Sequence, residues 1–175
     1  MANSEINEYF PFFKKVTLFE NLTDNQIKKI MNIMTISTVK KGDMITNEGE
    51  SGDEMFILLK GEVEISKSLF LAPLASDKSL QEKALVRLNE THHSFFGEMA
   101  LFLNKPERSA SIKATLPCTL AVIQKKALLS VLDKESLMAA IIYKNISAEL
   151  TKRLIKANKD ILKLTTAFSL ALEGD

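Results

Sequence analysis

The spacing of apolar residues changes twice along the chain, and each change predicts a different kind of secondary structure. Thr23 and Gln26 have the spacing of a helix capping box, and apolar residues follow at helical intervals at Ile27, Ile30, Met31 and Met34. This pattern predicts a helix over 24–34. From Thr35 onward the period falls to two, which predicts strands.

The middle of the chain consists of short runs rich in β-branched residues, separated by turn signals. The turn signals are Lys41-Gly42-Asp43, the stretch 48–53 and Lys60-Gly61-Glu62. Strand character returns at 85–88, 110–114 and 119–123. Several short strands at about ten-residue spacing are typical of a barrel or a sandwich. Residues 69–84 lose the alternation and contain Pro73, which predicts a long mobile connection between two strands.

The last part of the chain predicts helices over about 125–172. No Pro or Gly occurs from Ser136 to Leu172, and apolar residues recur every three or four positions, at Ile146, Leu150, Leu154, Ala157, Ile161, Leu164 and Phe168. The stripe is longer than a small barrel can cover. It predicts either a homodimer through a parallel helix pair or a helix packed on its own domain, and the pattern leaves both open.

Length, charge and cysteine content narrow the class of protein. A chain of 175 residues fits a single domain over 1–175. A net charge of +1 gives no general attraction for nucleic acid, so no nucleic-acid partner is expected. The lone Cys118 and the absence of a secretory pattern favour a cytoplasmic protein. No apolar run has the length of a membrane span, so none is expected.

One stretch carries chemistry that the turns alone do not explain. Phe96-Gly97-Glu98-Met99-Ala100-Leu101 runs from a strand into a short helical turn, and Arg108-Ser109-Ala110-Ser111 follows shortly after. Backbone N–H groups at a helix start, together with an arginine, are typical of a phosphate site. A carboxylate beside a phosphate is repelled unless it accepts a hydrogen bond from a sugar hydroxyl, and Glu98 fits that role.

These residues resemble the phosphate-binding cassette of the cyclic-nucleotide-binding domain family, which includes bacterial catabolite activators and regulatory subunits of cyclic-AMP-dependent kinase. The resemblance covers about 18–154 and includes the step from Glu98 to Arg108. It implies an α+β, mainly β, fold: a double-stranded β-helix (jelly-roll-like) barrel over about 35–123, with N-terminal helices and a long C-terminal helix.

The resemblance also implies a role for individual residues. Arg108 would pair with the exocyclic phosphate oxygens and Glu98 would accept the ribose 2′-hydroxyl. Amides around Met99 and Ala100, with the Ser109 hydroxyl, would complete the phosphate contacts. Asn158 aligns with a base-reading position on the long helix. The predicted ligand-binding residues are Gly97, Glu98, Met99, Ala100, Arg108, Ser109, Ala110 and Asn158.

Other reactive residues have simpler interpretations. The adjacent His92 and His93 lack further ligands at metal spacing, so no metal site is expected. Cys118 is expected to pack as a small apolar residue. The pairs Lys125-Lys126 and Lys152-Arg153 are expected on solvated helix faces.

The function expected from these observations is a cyclic-nucleotide sensor with cyclic AMP, before cyclic GMP, as ligand. No nucleophile and base cluster is visible, so neither an enzyme nor a cofactor is expected. The long helix is followed by Glu173-Gly174-Asp175, which leaves the sensor without its own effector and dependent on an unidentified protein partner. The alternatives are a ligand-free structural or interaction domain of the same fold, or a truncated transcription regulator.

Overall fold

Helices flank a set of strands in the part of the chain that the computed structural model describes, residues 2–68, 82–102 and 107–173. The helices are α1 (Ala2–Glu8), α2 (Phe10–Phe13), α3 (Asp24–Met31), α4 (Lys125–Leu132) and α5 (Ser136–Glu173). The strands are β1 (Met34–Val39), β2 (Met44–Thr46), β3 (Glu54–Lys60), β4 (Glu62–Ser68), β5 (Glu82–Asn89), β6 (Phe95–Phe96), β7 (Ser111–Ala114) and β8 (Cys118–Gln124).

The strands form two antiparallel sheets of four strands each. The first sheet has the order β1-β8-β3-β6 and the second has the order β2-β7-β4-β5. The predicted mainly β fold with helices is therefore confirmed. The expected double-stranded β-helix (jelly-roll-like) barrel is not closed in the described residues, because the ladders run within two sheets, each with its own edge strands.

The first sheet is buried on both faces at β3, which explains the uninterrupted apolar run of that strand. Met55, Ile57 and Leu59 on one face join the core formed with the helices. Phe56 and Leu58 on the other face join a second core that includes residues of the second sheet. A strand that is covered on both sides loses the alternation of apolar and polar residues.

The predicted element boundaries differ most from the observed ones at two places. The capping box at Thr23 and Gln26 is confirmed, but the helix ends at Met31 and Met34 begins β1 opposite Ile123. Met34 is buried in either arrangement, so its apolar character did not distinguish them. Strand β5 begins at Glu82, within the predicted connection, and residues 69–81 of that connection lie outside the described residues.

Helix α5 has an anchored half and an exposed half. Met138, Ile142 and Ile146 are fully buried, and the Asn145 side chain donates hydrogen bonds to the carbonyls of Leu18 and Glu20 at 3.0 and 2.8 Å. Beyond residue 153 the large apolar side chains are exposed, among them Leu154, Ile155, Ile161, Leu162, Leu164, Phe168, Leu170 and Leu172. Within the described ranges, no helix pairs enough length with enough apolar character to cross a bilayer.

Candidate functional site

A cavity lies between the second sheet and the segment that the sequence singled out. It contains about 520 Å³ of empty space, part of which is open solvent. The second sheet contributes Thr46, Ile65 and Ile112, and α5 contributes Arg153. The remaining lining residues are Phe96, Gly97, Glu98, Met99, Ala100, Glu107, Arg108, Ser109 and Ala110.

The structure brings seven of the eight predicted ligand residues to this cavity. The exception is Asn158, which is exposed on α5 and does not line it. The structure does not test any of the predicted contacts, so the roles of all eight residues stay predictions. The Ala100 amide, which was expected to face a phosphate, donates to the Gly97 carbonyl at 3.2 Å.

Two glycines make room for the guanidinium of Arg108. Gly97 has a φ of +79°, and a Cβ there would lie 2.9 Å from the Glu54 carbonyl oxygen and 3.1 Å from Arg108 Nη1. A Cβ on Gly52 would lie 2.5 Å from Arg108 Nε. Gly52 therefore leaves room for the guanidinium, whereas Gly97 is required also by its positive φ and by the Glu54 carbonyl. The sequence placed Gly52 only in the turn signal 48–53 and did not indicate a contact with Arg108.

Arg108 is a buried cation held by fixed contacts. Its Nη1 donates to the Glu54 carbonyl and its Nη2 to the Glu54 carboxylate, each at 2.6 Å. The guanidinium carbon lies 5.4 Å from the centre of the Phe56 ring, within cation–π range. Burial lowers the pKa of Arg108, and the charges of Glu54 and Asp53 act in the opposite direction. The group stays cationic at neutral pH, because arginine is not deprotonated in proteins.

Glu98 is a buried carboxylate with one oxygen paired and one unpaired. Its Oε1 accepts a hydrogen bond from Arg153 Nη1 at 2.9 Å, and Arg153 Nη2 donates to the Phe95 carbonyl at 2.9 Å. Its Oε2 is buried and has no hydrogen-bond partner among the described residues. An unpaired buried acceptor lowers the stability of a protein by about 1–3 kcal/mol. This oxygen can therefore accept a hydrogen bond from a ligand.

Sequence reasoning missed three contacts between the C-terminal helices and the described residues of the cassette (Gly97–Ala110). Arg153 pairs with Glu98, Lys125 Nζ donates to the Ala100 carbonyl at 3.1 Å, and the rings of Phe102 and Tyr143 meet edge to face at 6.0 Å. The expectation of solvated helix faces is confirmed for Lys126 and Lys152, which are exposed. It is wrong for Lys125 and Arg153, which are half-buried and bind the cassette. Lys125 and Arg153 each lie next to another basic residue in the sequence, and this pattern does not indicate which distant residues they contact.

The remaining reactive residues lie away from the cavity. His92 Nδ1 contacts the Asn89 side chain at 2.8 Å, and the His93 ring lies 4.7 Å from that of Phe12. Cys118 is buried and its Sγ donates to the Glu62 carbonyl at 3.2 Å. Burial raises the pKa of the Cys118 thiol. The cysteine therefore packs as a small apolar residue in β8, as the sequence predicted.

The family model described as cyclic nucleotide-binding domain matches residues 36–135 of this chain, which include most of both sheets and the whole cassette. The chain belongs to the cyclic nucleotide-binding domain family. The resemblance inferred from Gly97, Glu98 and Arg108 is thereby confirmed at the level of the family. The whole of α5, which begins at Ser136, lies beyond the matched region.

Individual relatives agree with this assignment of the cyclic nucleotide-binding domain. The chain is 33% identical to mouse cGMP-dependent protein kinase 2 over 113 residues, which are 65% of this chain and 14% of the kinase. The chain thus spans a small part of the length of the curated kinases it matches.

Solved structures show the same fold at lower sequence identity. A cyclic nucleotide-binding domain from Methylobacillus flagellatus has a TM-score of 0.73 and 22% identity, covering 92% of this chain and 84% of that one. The catabolite activator protein of Thermus thermophilus has a TM-score of 0.70 and 23% identity, covering 85% and 63%.

Proposed function

We propose that this domain binds a cyclic mononucleotide in the cavity between Glu98 and Arg108 and transmits the bound state through its C-terminal helices. The observation that carries the proposal is the buried, unpartnered Oε2 of Glu98 in the same cavity as the buried cation of Arg108. A ribose hydroxyl supplies the missing donor to Glu98. The singly charged cyclic phosphate supplies the anion for Arg108.

The contacts of the cassette with α4 and α5 support a sensing role. Arg153, Lys125 and the Phe102–Tyr143 contact connect the cavity to both C-terminal helices. A ligand that orders the cassette therefore favours one position of these helices by the difference in its affinity for the two states. The receiver of this signal is a separate protein in our proposal, since we assign no effector to the described residues.

The preference for cyclic AMP over cyclic GMP stays a prediction. The predicted base reader, Asn158, is exposed outside the cavity, and the Ser109 hydroxyl contacts Met99 Sδ at 3.5 Å. Neither observation favours one base. The mouse kinase that resembles this chain is named for cGMP, so both nucleotides belong in the test.

The exposed stripe of α5 supports a homodimer through a parallel pair of helices. Leu154, Ile161 and Phe168 repeat every seven residues, with Ala157, Leu164 and Ala171 at the intervening positions. This is the a and d pattern of a coiled coil. Changing Leu154, Ile161 and Phe168 to serine together is expected to give a monomer in sedimentation, and a monomeric unchanged chain would contradict the proposal.

Two finer assignments accompany this function. The strand orders of the two sheets support a jelly-roll topology, in which two four-stranded sheets face each other. The expected cytoplasmic location stays a prediction, as do the regulatory role without catalysis and the absence of a nucleic-acid partner.

Thermal unfolding with and without ligand tests the proposed function. A ligand at about a hundred times its Kd adds about 2.7 kcal/mol of stability, and at about 2 to 4 °C per kcal/mol the melting temperature rises by about 5 to 10 °C. We expect this rise with cyclic AMP, cyclic GMP or both, and its loss in Arg108→Ala.

Adenosine 5′-monophosphate serves as the control ligand, since it keeps the base and ribose but carries an open, more highly charged phosphate. Its shift is expected to be smaller, because carboxylates of Glu98 and Glu107 also line the cavity. No shift with either cyclic nucleotide would contradict the proposal and favour the interaction-domain alternative.

A further inference from the structure

The cation of the cavity already has an internal counter-ion. Arg108 Nη2 lies 2.6 Å from Glu54 Oε2, and the Arg108 side chain is only 7% exposed. A carboxylate at this distance neutralises most of the guanidinium charge that an incoming phosphate would meet. The second cation, Arg153, is likewise engaged with Glu98 and Glu149.

Contacts other than the one with the Glu54 carboxylate also hold Arg108 in place. The guanidinium is fixed by the Glu54 backbone carbonyl, by the space that Gly52 and Gly97 leave for it, and by the Phe56 ring. None of these contacts involves the carboxylate. The contribution of the Glu54 side chain to this site is therefore mainly its negative charge.

The Glu54 carboxylate can also leave Arg108 and become solvated. It is about one third exposed, at 32%, and its Oε1 accepts only a long hydrogen bond of 3.4 Å from Gln124 Nε2. A carboxylate at the edge of solvent can release its partner without becoming buried and unpaired. Arg108 thus has a partner that a phosphate can displace.

We propose that Glu54 sets the affinity of the site, because its carboxylate competes with the ligand phosphate for Arg108. This inference rests on the proposed binding of a cyclic mononucleotide. It predicts that the ligand-free domain is stabilised by the ion pair and that nucleotide binding is weakened by it. The two effects have a common origin, since the same N–H donors and the same charge serve both partners.

The test is Glu54→Gln, which keeps the size of the side chain and a hydrogen-bond acceptor but removes the charge. Isothermal titration with cyclic AMP and with cyclic GMP is expected to give a Kd about 3 to 30 times lower than that of the unchanged protein. The melting temperature of the ligand-free variant is expected to fall, because Arg108 loses its counter-ion. Glu20→Gln is the matched control, since it makes the same charge change at an exposed residue outside the cavity, and its Kd is expected to stay unchanged.

The outcomes separate this inference from the proposed function. If the unchanged protein binds a cyclic nucleotide and Glu54→Gln binds it equally or more weakly, the competition is refuted while the binding function stands. Binding by Glu54→Gln but not by the unchanged protein supports the competition in its strongest form. If neither protein binds, both the proposed function and the inference fail.

Discussion

Replacing Arg153 by methionine removes the cation that faces the buried carboxylate of Glu98. The side chain of Glu98 is 2% exposed and that of Arg153 is 38% exposed, and their closest atoms are 2.9 Å apart. Methionine preserves most of the aliphatic length but leaves both carboxylate oxygens without a donor. The Phe95 carbonyl loses its bond from Arg153 as well.

The expected cost follows from these contacts. A hydrogen bond to a charged group contributes about 1.5–3 kcal/mol, and breaking a fully buried ion pair costs about 3–5 kcal/mol. Because more than a third of Arg153 is exposed, solvent screens the pair, and we expect a loss near the lower figures, about 2 kcal/mol. This corresponds to a fall in melting temperature of about 4 to 8 °C.

Urea unfolding of Arg153→Met, Glu98→Gln and the double variant measures this coupling as a double-mutant cycle. The neutral amide of Glu98→Gln does not require a cation, so Arg153→Met is expected to cost at least about 1 kcal/mol less in that background. Arg87→Met is the matched control, because Arg87 is 66% exposed and pairs with Glu64 on the surface of the second sheet. Its cost is expected to be clearly smaller than that of Arg153→Met, because solvent screens an exposed pair. Equal costs of Arg153→Met in both backgrounds, or an equal cost of Arg87→Met, would refute the assigned pairing.

Two further predictions concern the glycine beside Arg108 and the buried cysteine. Gly52→Ala is expected to weaken cyclic-nucleotide binding at least tenfold in titration, because the new Cβ displaces Arg108. Gly42→Ala, where a Cβ meets open space at a φ of +95°, is expected to cost about 1 kcal/mol of stability and leave binding unchanged. Cys118 is expected to resist a thiol reagent at pH 8 until denaturant is added, because its raised pKa keeps the thiol protonated. As pH rises past the pKa of the unfolded thiol, the free energy of unfolding is expected to fall, because the unfolded thiol ionises before the folded one. Rapid labelling of the native chain would contradict the burial of Cys118.

The sequence was most informative where the signal is local. The capping box at Thr23 and Gln26 depends on residues three apart, and both bonds form as predicted. The cassette was recognisable because Gly97, Glu98 and Arg108 lie close together along the chain. The end of α3 was not recognisable, because Met34 suits a buried helix position and a buried strand position equally well.

The parts that could not be predicted depend on distant pairs. Arg153 meets Glu98 only because α5 folds back across the cassette, and Glu54 reaches Arg108 only because β3 lies beside it. The spacing of residues along the chain gives no information on such contacts. The role of Gly52 was hidden for the same reason, since the missing side chain matters only once Arg108 lies against it.

The exposed half of α5 also has a mechanical consequence. From the anchor at Asn145 to Leu172 the helix is about 40 Å long, at about 1.5 Å per residue. A rotation of about 10° about that anchor would sweep the far end through about 7 Å, whereas Arg153, the α5 residue that lines the cavity, would move by about 2 Å. The exposed half of α5 thus amplifies motion: a displacement near the anchor that is too small to disturb the packed core becomes several ångströms at the end of the helix.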